Sequence, residues 1–282
     1  MHVHVMTTMN LPKIGKLNIS GPKRMVAHLD ELGIEKAVLM SGGEKKSPLG
    51  KNETNRKICA MYPDRFAWMC TLDPVNESTV YERLAAYKAQ GAIGIGEFTI
   101  NKRLDNSFIQ AVFAAAEKLE LPITIHMSPE ENYKYGVVDE PGLPLLEEVL
   151  KKYPKLKILG HSQVFWIEIS ADAPTDRDGR NSWGKGPVKE GGRVPELFAK
   201  YENLYGDLSA NSAGQAIMRD PEFGLKFLET YQDRLFFATD MVNADMVYPL
   251  GAWLDEQVEK GTLKREVYEK ICRKNAERIF GL

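Results

Sequence analysis

A (β/α)8 barrel is the α/β fold class this sequence predicts, and three observations predict it. Short apolar, strand-like runs alternate with amphipathic helical patterns eight times, the rhythm of parallel strands joined by crossover helices. The length of 282 residues suits one barrel, which typically takes about 250. Metal-ligating side chains recur at the ends of the strand-like runs, where a barrel carries its working face. An open doubly wound sheet is the rival arrangement of the same alternation.

The chain opens on Met1-His2-Val3-His4. Two histidines one residue apart on an extended segment point the same way, because strand side chains alternate with period two. After a loop, a helix is expected over 22–32, stopped by Gly33. A strand over 37–40 and the Gly42-Gly43 loop lead into a helix over 52–61, ended by Pro63. The third strand covers 66–70 with a helix over 78–90; the fourth covers 92–97 with a helix over 106–119. The run Leu121-Pro122-Ile123-Thr124-Ile125 closes on His126, with a helix over 143–153 behind it. The sixth run, 156–160, closes on His161. A seventh strand over 203–208 precedes one long helix over 213–230. The eighth run, 235–239, closes on Asp240, and helical patterns over 251–260 and 264–280 follow. The whole reads as a single domain over 1–282. One polar, glycine-dotted insertion at about 171–192 is too long for a simple turn and has the character of a lid on the same rim as His161.

Composition narrows the class. With 37 basic and 39 acidic residues the net charge is −2, so bulk charge points to no nucleic acid and no membrane partner. No apolar run approaches the roughly 20 residues needed to span a bilayer, and no secretory signal opens the chain. Cys59, Cys70 and Cys272 are odd in number and unclustered, so they read as buried thiols in a reducing compartment. A cytoplasmic enzyme acting on a small molecule is the expected class.

Four strand ends each offering a ligand-type residue suggest a cation with an open coordination position. Such a cation lowers the pKa of a bound water from 15.7 to about 7, worth about 12 kcal/mol of hydroxide stabilisation. Asp240 is the natural general base for that water. His161 either completes the coordination or polarises the substrate. His28, inside a helical pattern, reads as structural.

These residues carry a resemblance. The His-x-His opening, Pro-Ile-Thr-Ile-His, Gly-His-Ser-Gln-Val-Phe-Trp and Phe-Ala-Thr-Asp resemble the amidohydrolase superfamily. The closest likeness is to its amidohydrolase-related branch of metal-dependent hydrolases, decarboxylases and hydratases. The resemblance implies a distorted barrel, a divalent metal (zinc, with manganese an alternative; one or two ions) and often a homodimer. His2, His4, His126 and Asp240 match its metal ligands. His161 matches the sixth-strand histidine, a ligand in binuclear members and an acid or polarising group in mononuclear ones. The branch usually places an Asp two positions before the first His; here the sequence opens at Met1, so that carboxylate is absent and the start site is in question. Glu97, in Gly94-Ile95-Gly96-Glu97, resembles instead the glutamate by which TatD-type nucleases bridge two cations. It either ligates or hydrogen-bonds a ligand histidine, and the glycines before it read as space-makers.

For substrate, Arg177, Arg180 and Lys185 on the insertion offer carboxylate partners, or are simply a solvated charged loop. Trp166 walls the pocket or packs under the lid, and Ser209 and Asn211 lie just past the seventh strand, at the face where substrate would be touched. The expected function is hydrolysis of a lactone, amide or ester by metal-bound hydroxide with Asp240 as base. The alternatives are a decarboxylase or hydratase of the same branch, a TatD-like phosphodiesterase, and a non-catalytic metal-binding barrel.

Overall fold

The apolar runs become parallel strands, and the parallel sense follows from the helix that separates each from the next. The computed structural model describes residues 1–11, 13, 16 and 18–282; the loop expected around 12, 14, 15 and 17 lies outside the described residues. The strands are β1 (His2–Val3), β2 (Ala37–Leu39), β3 (Phe66–Trp68), β4 (Ile95–Phe98), β5 (Ile123–Ser128), β6 (Val137–Val138), β7 (Ile158–His161), β8 (Leu204–Leu208) and β9 (Leu235–Phe237). Pairing runs β1-β2-β3 and β4-β5-β7-β8-β9, with the short β6 beside β5. Two parallel bridges join these sheets, Cys70 with Ile95 and Val3 with Met241. The His4 N–H donates to the Met241 carbonyl at 2.8 Å and the Asp240 N–H to the His2 carbonyl at 2.6 Å. β1 thus pairs with the segment following β9, the eight main strands form a ring, and the open sheet is excluded.

Alternation sorts the side chains. Val38, Met40, Met69, Leu159, Tyr205 and Phe236 form one buried cluster that plugs the barrel. The larger apolar cluster, with Val3, Leu39, Ile123, Ile158, Leu204 and Leu235, faces the helices. The next inward residues up from the plug are His161 above Leu159 and Asp207 above Tyr205. The working residues therefore stand on a packed floor.

Glycine at 94 and 96 keeps that floor from overfilling. A Cβ at Gly96 would lie 2.7 Å from the Met40 sulfur, and one at Gly94 2.9 Å from the Pro122 carbonyl. The β4–β5 register shifts between Ile95 and Phe98. Such an irregularity lets consecutive residues turn to one side, so Glu97 points inward just after an inward Gly96.

Several elements differ from the sequence expectation. The single helix expected over 213–230 is two, Ala210–Met218 and Pro221–Thr230. Pro221 cannot continue a helix but starts one well, and the Asp220 carboxylate caps the second by accepting from the Phe223 N–H. β9 stops at Phe237, three residues short of Asp240. Asp240 itself sits at φ 60°, a left-handed conformation costly for a residue with a Cβ. Ser162 (φ 88°) and Ala210 (φ 57°) also have positive φ just past the ends of β7 and β8. Ser162 compensates by fastening two strand ends, its hydroxyl donating to the Met127 carbonyl at 2.9 Å and accepting from the Met127 N–H at 3.0 Å. The three thiols are free, but only Cys70 is fully buried. No helix among the described residues is long and apolar enough to cross a membrane.

Candidate metal centre

Six side chains from five strand ends converge at the C-terminal mouth of the barrel. His2 and His4 bring their Nε2 atoms within 3.2 Å of each other. Asp240 Oδ1 lies 3.4 Å from His2 Nε2 and 3.3 Å from His4 Nε2. Glu97 Oε2 lies 3.4 Å from His4 Nε2 and 3.9 Å from His2 Nε2. Donors about 2.0–2.2 Å from a tetrahedral cation stand about 3.3 Å apart, so these four atoms already have the spacing of a coordination shell.

The other oxygen of Glu97 faces a second group. Glu97 Oε1 lies 2.5 Å from His126 Nδ1 and 3.5 Å from His161 Nε2. The 2.5 Å contact is a hydrogen bond, too short to straddle a cation. Asp240 Oδ2 lies 3.7 Å from His161 Nε2. The side chain of Asp240 is 23% exposed while that of Glu97 is 3% exposed, so the aspartate marks the open side.

Charge explains why this cluster fits a divalent cation. Glu97, Asp240 and Asp207 are gathered among four imidazoles, and no Lys or Arg is among their contacts in the described residues. Burial alone would push the His4 imidazole down, but Asp240 and Glu97 outweigh it and lift it to about 10. His2 is raised against the same burial by Asp240, Asp207 and Glu97. Burial opposes ionisation of Glu97, yet His126, His4 and His2 hold its carboxyl well below the usual range. His161 goes the other way, lowered by burial and by the charge of His2. Without a cation the carboxylates hold protons on the imidazoles; a cation supplies the same charge through the lone pairs and releases those protons.

The structure brings together His2, His4, Glu97, His126, His161 and Asp240, and scatters most of the residues expected to touch substrate. Trp166 does not wall the pocket. It is 1% exposed, packs on Phe165 and Phe227, and its indole N–H donates to the Asp207 carbonyl at 3.1 Å. Arg180 does not face a substrate carboxylate either. Its buried guanidinium donates to the carbonyls of Pro129, Asp139 and Glu140 at 3.2, 2.8 and 3.1 Å, pinning the insertion to the loop after β5. Arg177 is paired with Asp178 and Glu130 and lies over the Tyr133 ring. Ser209 touches the site indirectly, with Oγ 2.9 Å from His161 Nδ1. Asn211 is half-buried at the start of helix Ala210–Met218. Lys185 is exposed, and His28 is structural, its Nε2 2.9 Å from the Met246 carbonyl.

Arg180→Ala is expected to leave those buried carbonyls without their donor, at about 3 kcal/mol. For a chain of this size that is roughly a 5 °C fall in Tm. Differential scanning calorimetry checks this, with limited proteolysis expected to cut first within 171–192 and metal content unchanged.

Three residues escaped the sequence reading. Asp207 shares the inward face of β8 with Tyr205, a visible signal, since a carboxylate on a barrel's inner face needs a partner. Tyr135 places its ring 4.4 Å from that of His126 while remaining 53% exposed. Burial, with the negative charges of Glu97 and Asp240, pushes its phenol up to about 12, so it stays a donor. Tyr248 is pushed up to about 12 by burial and by Asp240. Both lie in loops after ligand-bearing strands, where their reach depends on loop shape alone.

Comparison with known proteins agrees with this geometry. The amidohydrolase family model matches residues 1–282. No curated protein sequence matches the chain. Among solved structures, a probable 2-pyrone-4,6-dicarboxylic acid hydrolase from Acinetobacter baumannii, with citric acid bound, is similar at TM-score 0.60 and 17% identity, covering 100% of this chain and 98% of that one. A 5-carboxyvanillate decarboxylase from Novosphingobium aromaticivorans with bound manganese is similar at 0.58 and 20%, covering 92% and 80%. The 2,6-dihydroxybenzoate decarboxylase from Rhizobium is similar at 0.58 and 18%, covering 95% and 88%. At these identities the likeness establishes the shared barrel. With the family's model matched from residue 1 to residue 282, the chain belongs to the amidohydrolase family of enzymes.

Proposed function

We propose that the chain is a metal-dependent hydrolase of a small carbonyl substrate, a lactone, amide or ester. One observation carries this reading: His2 Nε2, His4 Nε2 and Asp240 Oδ1 stand 3.2–3.4 Å apart, with Glu97 Oε2 3.4 and 3.9 Å from the two imidazoles and Asp240 turned to the opening. Zinc suits this mixed imidazole and carboxylate set, with manganese the alternative. A single ion is the reading, because His126 already occupies the other oxygen of Glu97.

A divalent cation held there acidifies a water and polarises a carbonyl. Asp240 divides its labour: Oδ1 belongs to the ligand set, and Oδ2 faces His161 and carries the proton. It accepts from the attacking water and returns the proton to the leaving group. His161, neutral and with Nε2 3.7 Å from that oxygen, turns its lone pair toward Asp240 and accepts from the carboxyl once it carries the proton. The phenols of Tyr135 and Tyr248 remain protonated and donate to the substrate's polar edge.

The test follows lactones, esters and aromatic acids by pH-stat and by CO2 detection in parallel, with metal counted by elemental analysis. Base consumption without CO2 and one ion per chain is expected. CO2 release without base consumption would replace this reading with a decarboxylase. The named decarboxylases of like fold and the aromatic mouth formed by Tyr135 favour that second reading, in which Asp240 delivers its proton to carbon. Two tightly held ions per chain would favour the phosphodiesterase reading of Glu97.

A further inference from the structure

Behind the ligand atoms, on the side away from the opening, one carboxylate faces two of the four imidazoles. Asp207 is 1% exposed, and its Oδ2 lies 2.7 Å from His2 Nδ1 and 3.9 Å from His161 Nδ1. The Ser209 hydroxyl stands 2.9 Å from His161 Nδ1, and its nearness helps hold the Asp207 carboxyl below its usual range. No second cation belongs here, because 2.7 Å is hydrogen-bond contact and shorter than the separation of two ligands on one ion.

A carboxylate accepts only, so His2 Nδ1 must donate to it. Ser209, its proton drawn toward the Asp207 carboxylate, accepts from His161 Nδ1–H. Both imidazoles are then protonated at Nδ1, and both aim an Nε2 lone pair at the mouth. His2 and His161 belong to different donor groups, the first with His4 and Asp240, the second with Glu97 and His126. Asp207 therefore orients one ring of each.

We infer that Asp207 is a positioning residue that sets the tautomer and ring orientation of His2 directly and of His161 through Ser209. This rests on the metal-dependent reading above. Neighbours of this kind change metal affinity by about 10–100-fold when removed.

The experiment is chelator competition for Zn2+ and Mn2+ on purified parent, Asp207→Asn and Ser209→Ala, with the Tm of each metal-stripped protein measured alongside. Asp207→Asn is expected to weaken metal binding at least tenfold, well beyond Ser209→Ala. A residue that merely supports the fold would lower the stripped Tm and leave affinity within twofold, and that result overturns the inference. A parent that binds neither ion overturns both this inference and the metal-dependent reading, so the two failures are distinguishable. Should Asp207→Asn not fold, the metal-loaded parent decides alone by histidine 15N NMR. His2 protonated at Nδ1 with a downfield, slowly exchanging proton supports the inference; His2 protonated at Nε2 overturns it.

Discussion

Asp240→Asn is expected to remove all but about one part in a thousand of turnover while leaving the fold intact, in keeping with the 10²–10⁴-fold contribution of a positioned proton carrier. The amide matches the carboxylate in size, and Asp240 takes part in closing the barrel through its backbone, whose N–H meets the His2 carbonyl whatever the side chain. Two properties are lost together. The oxygen in the ligand set loses its charge, and the one beside His161 can no longer accept a proton. Steady-state kinetics with circular dichroism tests this, and retained turnover in a folded variant would remove Asp240 from its assigned role.

The second large effect is metal removal. Dialysis against a chelator is expected to abolish activity and to lower Tm by about 7 °C, a shift that returns with zinc or manganese. The magnitude follows from linkage: an ion at a thousand times its Kd contributes about 4 kcal/mol, and a chain of this size loses roughly 0.6 kcal/mol per degree at its midpoint. The ion displaces protons that Asp240 and Glu97 hold on His2 and His4, so affinity should climb as pH rises. A stripped enzyme with full activity would contradict the centre as described.

The residues that meet at the mouth were legible because strand ends are fixed by rhythm. Once the β/α alternation is read, His126 and His161 fall near the tops of their strands and Asp240 just past the end of its own, and His2 and His4 share a face. Glu97 was legible as a ligand or as the hydrogen-bond partner of a ligand histidine, but which oxygen met which histidine was not, because its inward turn needs the β4 register shift. What spacing could not give was the direction of side chains on irregular backbone. Arg180 and Trp166 looked like substrate groups from their neighbourhoods, yet one became a strut under three carbonyls and the other a wall against Asp207. Tyr135 and Tyr248 were hidden for the converse reason: nothing periodic marks a loop residue that folds back over a strand end. The break at Asp220-Pro221 was written plainly and outweighed by an apolar pattern that continues across it.

The pairing of β1 with the segment after β9 has a consequence for how the protein acquires its cation. Two hundred and more residues separate His2 and His4 from Asp240, and only completion of the ring brings them side by side. The first and last donors therefore meet only in the native state, and the complete set of donors exists only there. An ion bound there works as a clasp across that seam, resisting the separation of the first strand from the last.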